Sequence, residues 1–210
     1  LFDEHVGQLL ILGVAGVGKT TLLLKLLETL LDRAEHEPRL PVPVFLNLSS
    51  WAARRPSIQS WLAEELREHY DVPRKAAEEW IKDDQILPIL DGLDETDEHR
   101  LACVEAINSF RKDHGLLEIA IASRAAEYEV LATKLRLPGC VSIQRLGREQ
   151  IRDLVDTFEI STRERLRLAL LNDEGLCDLL DTPLMLKMAV GAMQGSAAQL
   201  PIVASVKEVR

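Results

Sequence analysis

"QLLILGVAGVGKTTLLLKLLETLLDR", residues 8–33, decides the fold. Its first six residues are a short apolar run ending at Gly13, the signature of a buried strand. "GVAGVGKT" (13–20) then matches G-x-x-x-x-G-K-[ST], and "KTTLLLKLLETLLDR" (19–33) follows as a helix. In that context the pattern binds phosphate. Gly13, Gly16 and Gly18 let the backbone fold tightly and turn its N–H groups onto the phosphates, and the helix N-terminus adds a favourable dipole. Gly13, Val14, Ala15, Gly16, Val17, Gly18, Lys19, Thr20 and Thr21 are therefore the expected nucleotide cradle. Lys19 would bridge the β- and γ-phosphates, and the Thr20 hydroxyl would ligate Mg²⁺. A Gly-rich turn with a solvated lysine is the plain alternative, and the flanking strand and helix argue against it. Lys25, Glu28 and Asp32 give the helix a single polar stripe, so the pattern predicts cover on most of its sides.

A second stretch, "LPILDGLDE" (87–95), drives an apolar strand into three carboxylates. Close acids repel unless a cation or a reaction holds them. A phosphate loop needs a carboxylate at the end of a neighbouring strand to hold Mg²⁺, and Asp91 is placed for that. Asp94 and Glu95 follow, where one could orient or deprotonate the water that attacks the γ-phosphate. A helix start decorated with acids is the bland alternative. "IAIASR" (119–124) ends a further strand with Arg124, which could reach the γ-phosphate; an Arg after a strand is otherwise a surface residue.

Strands are also read at 42–51, 86–91, 117–123 and 140–146, with helices at 57–70, from Pro73 through Trp80, and at 99–112. Alternation of this kind predicts a parallel sheet with helices on both faces. Pro88 removes a ladder donor, so the strand should begin there or bulge. Beyond Gly147, "GREQIRDLVDTF", "TRERLRLALLND" and "PLMLKMAVGAM" carry helical spacing and strands are not expected. The expected architecture is an α/β P-loop NTPase with a mainly parallel five-stranded sheet flanked by helices (1–146), followed by a small helical subdomain (147–210) cut short at its C-terminal side. A chain that starts without Met reads as a piece of a longer protein.

The 210 residues suffice for a sizeable core. A net charge of −9 argues against general nucleic-acid binding, which needs a basic surface. Cys103, Cys140 and Cys177 are too few and too scattered for a disulfide framework or a zinc site, pointing to a reducing cytoplasm. No run is long enough to cross a bilayer. Trp51, Trp61 and Trp80 read as core or cover, and the histidines have no metal-ligand spacing.

At these residues the chain resembles a NACHT domain of the STAND class of P-loop NTPases. The likeness rests on "GVAGVGKTT", "ILPILDGLDE", "PVFLNLSSW", "IAIASR" and "LGREQIRDLV" leading to "DTPLMLKMAV", and spans about residues 6 to 194. By resemblance Asp91 holds Mg²⁺, Asp94 and Glu95 serve hydrolysis, Arg124 senses the γ-phosphate, and Pro183 lies against the adenine. The resemblance implies ATP or ADP as nucleotide, slow hydrolysis, and opening into a homo-oligomer for innate-immune, cell-death or antiphage signalling. The relatives' winged-helix part and any effector and sensor domains fall outside this chain. The guanine-reading N-K-x-D pattern does not occur, which favours ATP. Three other readings compete: a P-loop kinase, for which Arg124 and Arg136 offer no clear lid; an AAA-type motor on nucleic acid, opposed by the acidic balance; and a nucleotide-binding scaffold without turnover, opposed by the complete set Lys19, Thr20, Asp91 and Glu95.

Overall fold

The computed structural model describes residues 1–194 and 205–208. Strand β1 (Gln8–Gly13) leads into α1 (Lys19–His36), followed by β2 (Val42–Asn47), α2 (Ser49–Arg54), α3 (Ile58–Tyr70), α4 (Arg74–Lys82) and β3 (Ile86–Asp91). A 3-10 turn (Leu93–His99) carries the chain into α5 (Arg100–Asp113), β4 (Ile119–Arg124), α6 (Ala125–Glu129) and β5 (Gly139–Gln144). Helices α7 (Arg148–Asp156), α8 (Ile160–Asn172), α9 (Glu174–Leu179) and α10 (Pro183–Gln194) follow, then a short strand β6 (Ser205–Glu208).

The five strands read from the sequence form one parallel sheet, and the full order is β2-β3-β4-β1-β5-β6. β6 corrects the expectation that strands stop near residue 147. It has four residues, too few for a period to show.

The chain forms two compact units, one of Leu1–Leu12, Thr20–Ser142 and Glu208–Arg210, the other of Gly13–Lys19 and Ile143–Lys207. In the first, alternate residues of the strands put Leu10, Leu12, Val44, Leu46, Ile86, Leu90, Ile119 and Ile121 into one core. Trp61, Leu62 and Leu66 of α3, Ile81 of α4, and Val104 and Ile107 of α5 complete it. The intervening residues Ile11, Leu87, Ile89 and Ala120 are buried as well, as expected of a parallel sheet covered on both faces. In the second, Leu146, Ile151, Leu154, Val155, Leu166, Leu180, Leu186 and Val190 form a separate core.

Four local expectations change. β2 stops at Asn47 rather than running to Trp51, because Asn47 Oδ1 accepts the Ser49 N–H at 2.8 Å and turns the chain into α2. Pro88 neither starts nor bulges β3; the register with β2 runs unbroken through Val44↔Pro88, and pairing with β4 is recorded from Ile89↔Ala120 onward. Helix α1 is covered on one side only, with Leu23 and Leu30 buried seven residues apart while Leu24 and Leu31 stay exposed. Trp51 and Trp61 are core residues, but Trp80 is 38% exposed. All three cysteines are free, and burial pushes the Cys103 thiol up to about 12.

Candidate nucleotide-binding site

In the loop after β1 the lysine turns back on the residues before it. Lys19 Nζ donates to the carbonyls of Gly13 and Val14, each at 3.0 Å, closing the lysine over the turn it belongs to. Gly16 and Gly18 take φ values of 73° and 103°, where a side chain is strained. A Cβ at Gly16 would also sit 2.8 Å from Leu184 Cβ. Within the same unit the Leu184 N–H donates to the Gly16 carbonyl at 3.3 Å, so the first turn of α10, which Pro183 begins, lies at the loop. Thr182 is buried, and its Oγ1 accepts the Met185 N–H at 3.4 Å.

The carboxylates that follow β3 reach much further along the chain. Asp91 Oδ2 accepts the Thr20 hydroxyl at 2.5 Å, and its Oδ1 accepts the Gly92 N–H at 2.9 Å. Asp94, with an 8% exposed side chain, accepts the Arg124 backbone N–H on Oδ1 at 2.9 Å, and its Oδ2 forms an ion pair with Arg124 Nε, also at 2.9 Å. Glu95 is exposed, and its Oε2 accepts the Asn47 Nδ2–H at 3.1 Å. The acids whose proximity suggested a cation are thus separated by three sets of donors, from α1, β4 and β2. Gly92, at φ 76°, makes the divergence possible. A Cβ there would lie 2.8 Å from Glu95 Oε2 and 3.2 Å from Asn47 Oδ1.

Thr20, Asp91, Asp94 and Arg124 were each singled out from sequence; the structure brings Thr20 to Asp91 and Arg124 to Asp94. Asn47 was not. It stands opposite Asp91 in the β2–β3 register, and a polar residue closing an apolar strand parallel to β3 is the signal that could have found it. A hydroxyl and a carboxylate oxygen 2.5 Å apart are hard donors of the kind Mg²⁺ takes. No group of three or more His, Cys, Asp or Glu suited to a metal occurs among the described residues; an ion held by one or two protein oxygens, with phosphates and water, needs none.

Strand, loop, helix and strand-end carboxylate together define a phosphate-loop nucleotide-binding domain. A model of the NACHT domain matches residues 8–161, and the chain belongs to that family. Among solved structures it is similar to the Aeropyrum pernix ORC1 protein, solved in complex with DNA. That match has 14% identity and a TM-score of 0.49, covering 91% of this chain and 56% of that one. It is also similar to C. elegans PCH-2, at 14% identity and a TM-score of 0.40, covering 78% of this chain and 41% of the other. The chain therefore spans about half the length of these structures. A search of curated proteins finds no match. No helix among the described residues is long and apolar enough to cross a membrane.

Proposed function

We propose that this domain binds ATP, hydrolyses it slowly, and uses the difference between ATP and ADP to switch a larger signalling protein between closed and self-assembling forms. The observation that carries the reading is the 2.5 Å bond between Thr20 and Asp91, residues 71 apart in sequence, which ties the two motifs together. Backbone N–H groups of Gly13–Lys19 receive the phosphates, and Lys19 exchanges its two carbonyl partners for phosphate oxygens. Thr20 and Asp91 would hold Mg²⁺, which when bound would supply positive charge to the phosphates. Glu95, open to solvent, orients or deprotonates the attacking water, and Arg124 binds the γ-phosphate. Pro183, at the start of α10, lies against the adenine.

Moving such a switch from almost wholly closed to almost wholly open requires about 5.5 kcal/mol of difference between the two nucleotides. Contacts from Lys19, Mg²⁺ and Arg124 to one additional phosphate are the source. Signalling or defence through a homo-oligomer, a cytoplasmic setting, and effector and sensor domains elsewhere in the protein complete the proposal; the family assignment supports them.

The test is to denature the purified chain, chromatograph any nucleotide it retained, and follow phosphate release from ATP with and without Mg²⁺. Retained adenine nucleotide and slow, Mg²⁺-dependent release are expected. Failure to bind ATP or ADP would sink the reading.

A further inference from the structure

Asp94 and Glu95 are adjacent in sequence and occupy different situations. Glu95 is exposed and accepts one bond, from a neutral amide. Asp94 is almost enclosed, and both of its oxygens are engaged by the same residue, Arg124: Oδ1 accepts its backbone N–H, and Oδ2 is ion-paired with its Nε at 2.9 Å. A carboxylate held this way has little room for the water that a hydrolytic base must contact. The Arg124 side chain is 46% exposed. Its Nε is ion-paired with Asp94, Nη1 forms a longer ion pair with Glu127 Oε1 at 3.7 Å, and among the described residues neither Nη makes a hydrogen bond. An ion pair at Nε, on a residue whose backbone N–H the same carboxylate holds, restrains the guanidinium's direction. Its two terminal nitrogens are left as a planar fork of the shape that binds phosphate oxygens in pairs.

We propose that Asp94 is a positioning residue: it aims the Arg124 fork at the terminal phosphate and leaves the water-directed role to Glu95. This rests on the nucleotide reading above and divides its labour between the two acids. Asp94 then contributes to telling ATP from ADP, and only through Arg124 to the rate. The Arg100 Nε bond to the Asp94 carbonyl, at 3.1 Å, holds the same residue by its backbone and survives a change of side chain.

The experiment titrates fluorescent ATP and ADP analogues, and measures single-turnover hydrolysis, on the wild-type chain, Asp94→Asn, Arg124→Ala, the double variant and Glu95→Gln. In Asp94→Asn the carboxamide keeps an acceptor for the Arg124 backbone but sets its NH₂ against Nε–H, releasing the fork. Loss of a charge-assisted phosphate contact predicts about a ten- to hundredfold fall in ATP affinity. ADP affinity should stay within about twofold. Since one variant acts through the other, the double variant should bind ATP as Arg124→Ala does, with no further loss.

Asp94→Asn that keeps its ATP affinity and loses turnover, as Glu95→Gln should, overturns the proposal and makes Asp94 a base; additive losses in the double variant overturn it too. A wild-type chain that binds neither nucleotide overturns the nucleotide reading itself. If Asp94→Asn does not fold, Arg124→Lys carries the test: an ammonium cannot be held at Nε and still present a fork, so undiminished preference for ATP counts against the assignment.

Discussion

The lysine of the phosphate loop and the acids at the end of β3 find their partners at very different distances along the chain. The loop's lysine bonds carbonyls five and six residues away, and two glycines at positive φ set the turn. The acids take donors 71, 30 and 48 residues distant, from Thr20, Arg124 and Asn47. The two lysine bonds lie within one short segment; the bonds of the acids exist only once the sheet has formed.

If the acid edge carries the chemistry, Glu95→Gln is the most damaging change. Single-turnover hydrolysis should fall about 10²- to 10⁴-fold while ATP stays bound. Equal phosphate release from both proteins would remove Glu95 from its role. Lys19→Ala tests the local bonds: under the proposed exchange of its carbonyl partners for phosphate, affinity for ATP should drop about 10- to 100-fold in a direct titration.

Gly92→Ala probes the hinge of the acid edge. The positive φ alone costs about 1–2 kcal/mol, to be read from chemical denaturation, and displacement of Glu95 Oε2 should slow turnover as well. Unchanged stability and rate would mean the turn relaxes freely. Asn47→Ala removes one exposed amide bond, so turnover should fall only about two- to tenfold.

The smallest effect concerns another long-range pair. Asp3 and Arg33 meet at 2.8 Å with side chains 67% and 46% exposed, and the Arg33 hydrogen bond holds the Asp3 carboxyl below its usual range. A depressed carboxylate contributes stability above its ordinary pKa and loses it as pH falls through the lowered value. Solvent screening keeps Arg33→Ala under about 0.5 kcal/mol at neutral pH, fading further in acid, measured by thermal melts. A larger loss would show that distance along the chain, rather than burial, sets the worth of such pairs.

This contrast also explains what the sequence disclosed. β1 and β3 were legible to the residue, because an unbroken apolar run ending in Gly or Asp marks both ends. The end of β2 was not, since "LNLSSW" continues the apolar pattern and only the Asn47 side chain turns it into a helix. Thr20, Asp91, Asp94, Glu95 and Arg124 could be singled out by type and place. Which of them touch could not, for neither the Asp94–Arg124 clasp nor the Asn47–Glu95 bond lies within reach of a local pattern. Pro88 misled because a missing donor was weighed without knowing where each neighbouring strand begins to pair.

Strand order has a further consequence, for synthesis on the ribosome. β1 is made first but sits between β4 and β5, so every residue from Gly13 to Ile119 must be added before its first neighbour exists. At about 5–20 residues per second that delay is on the order of ten seconds. Throughout it the wholly apolar "LLIL" of β1 has no partner strand, while β2 and β3, made one after the other, can already pair. The segment that announces the fold in the sequence thus waits for more than a hundred further residues before it can take its place in the sheet.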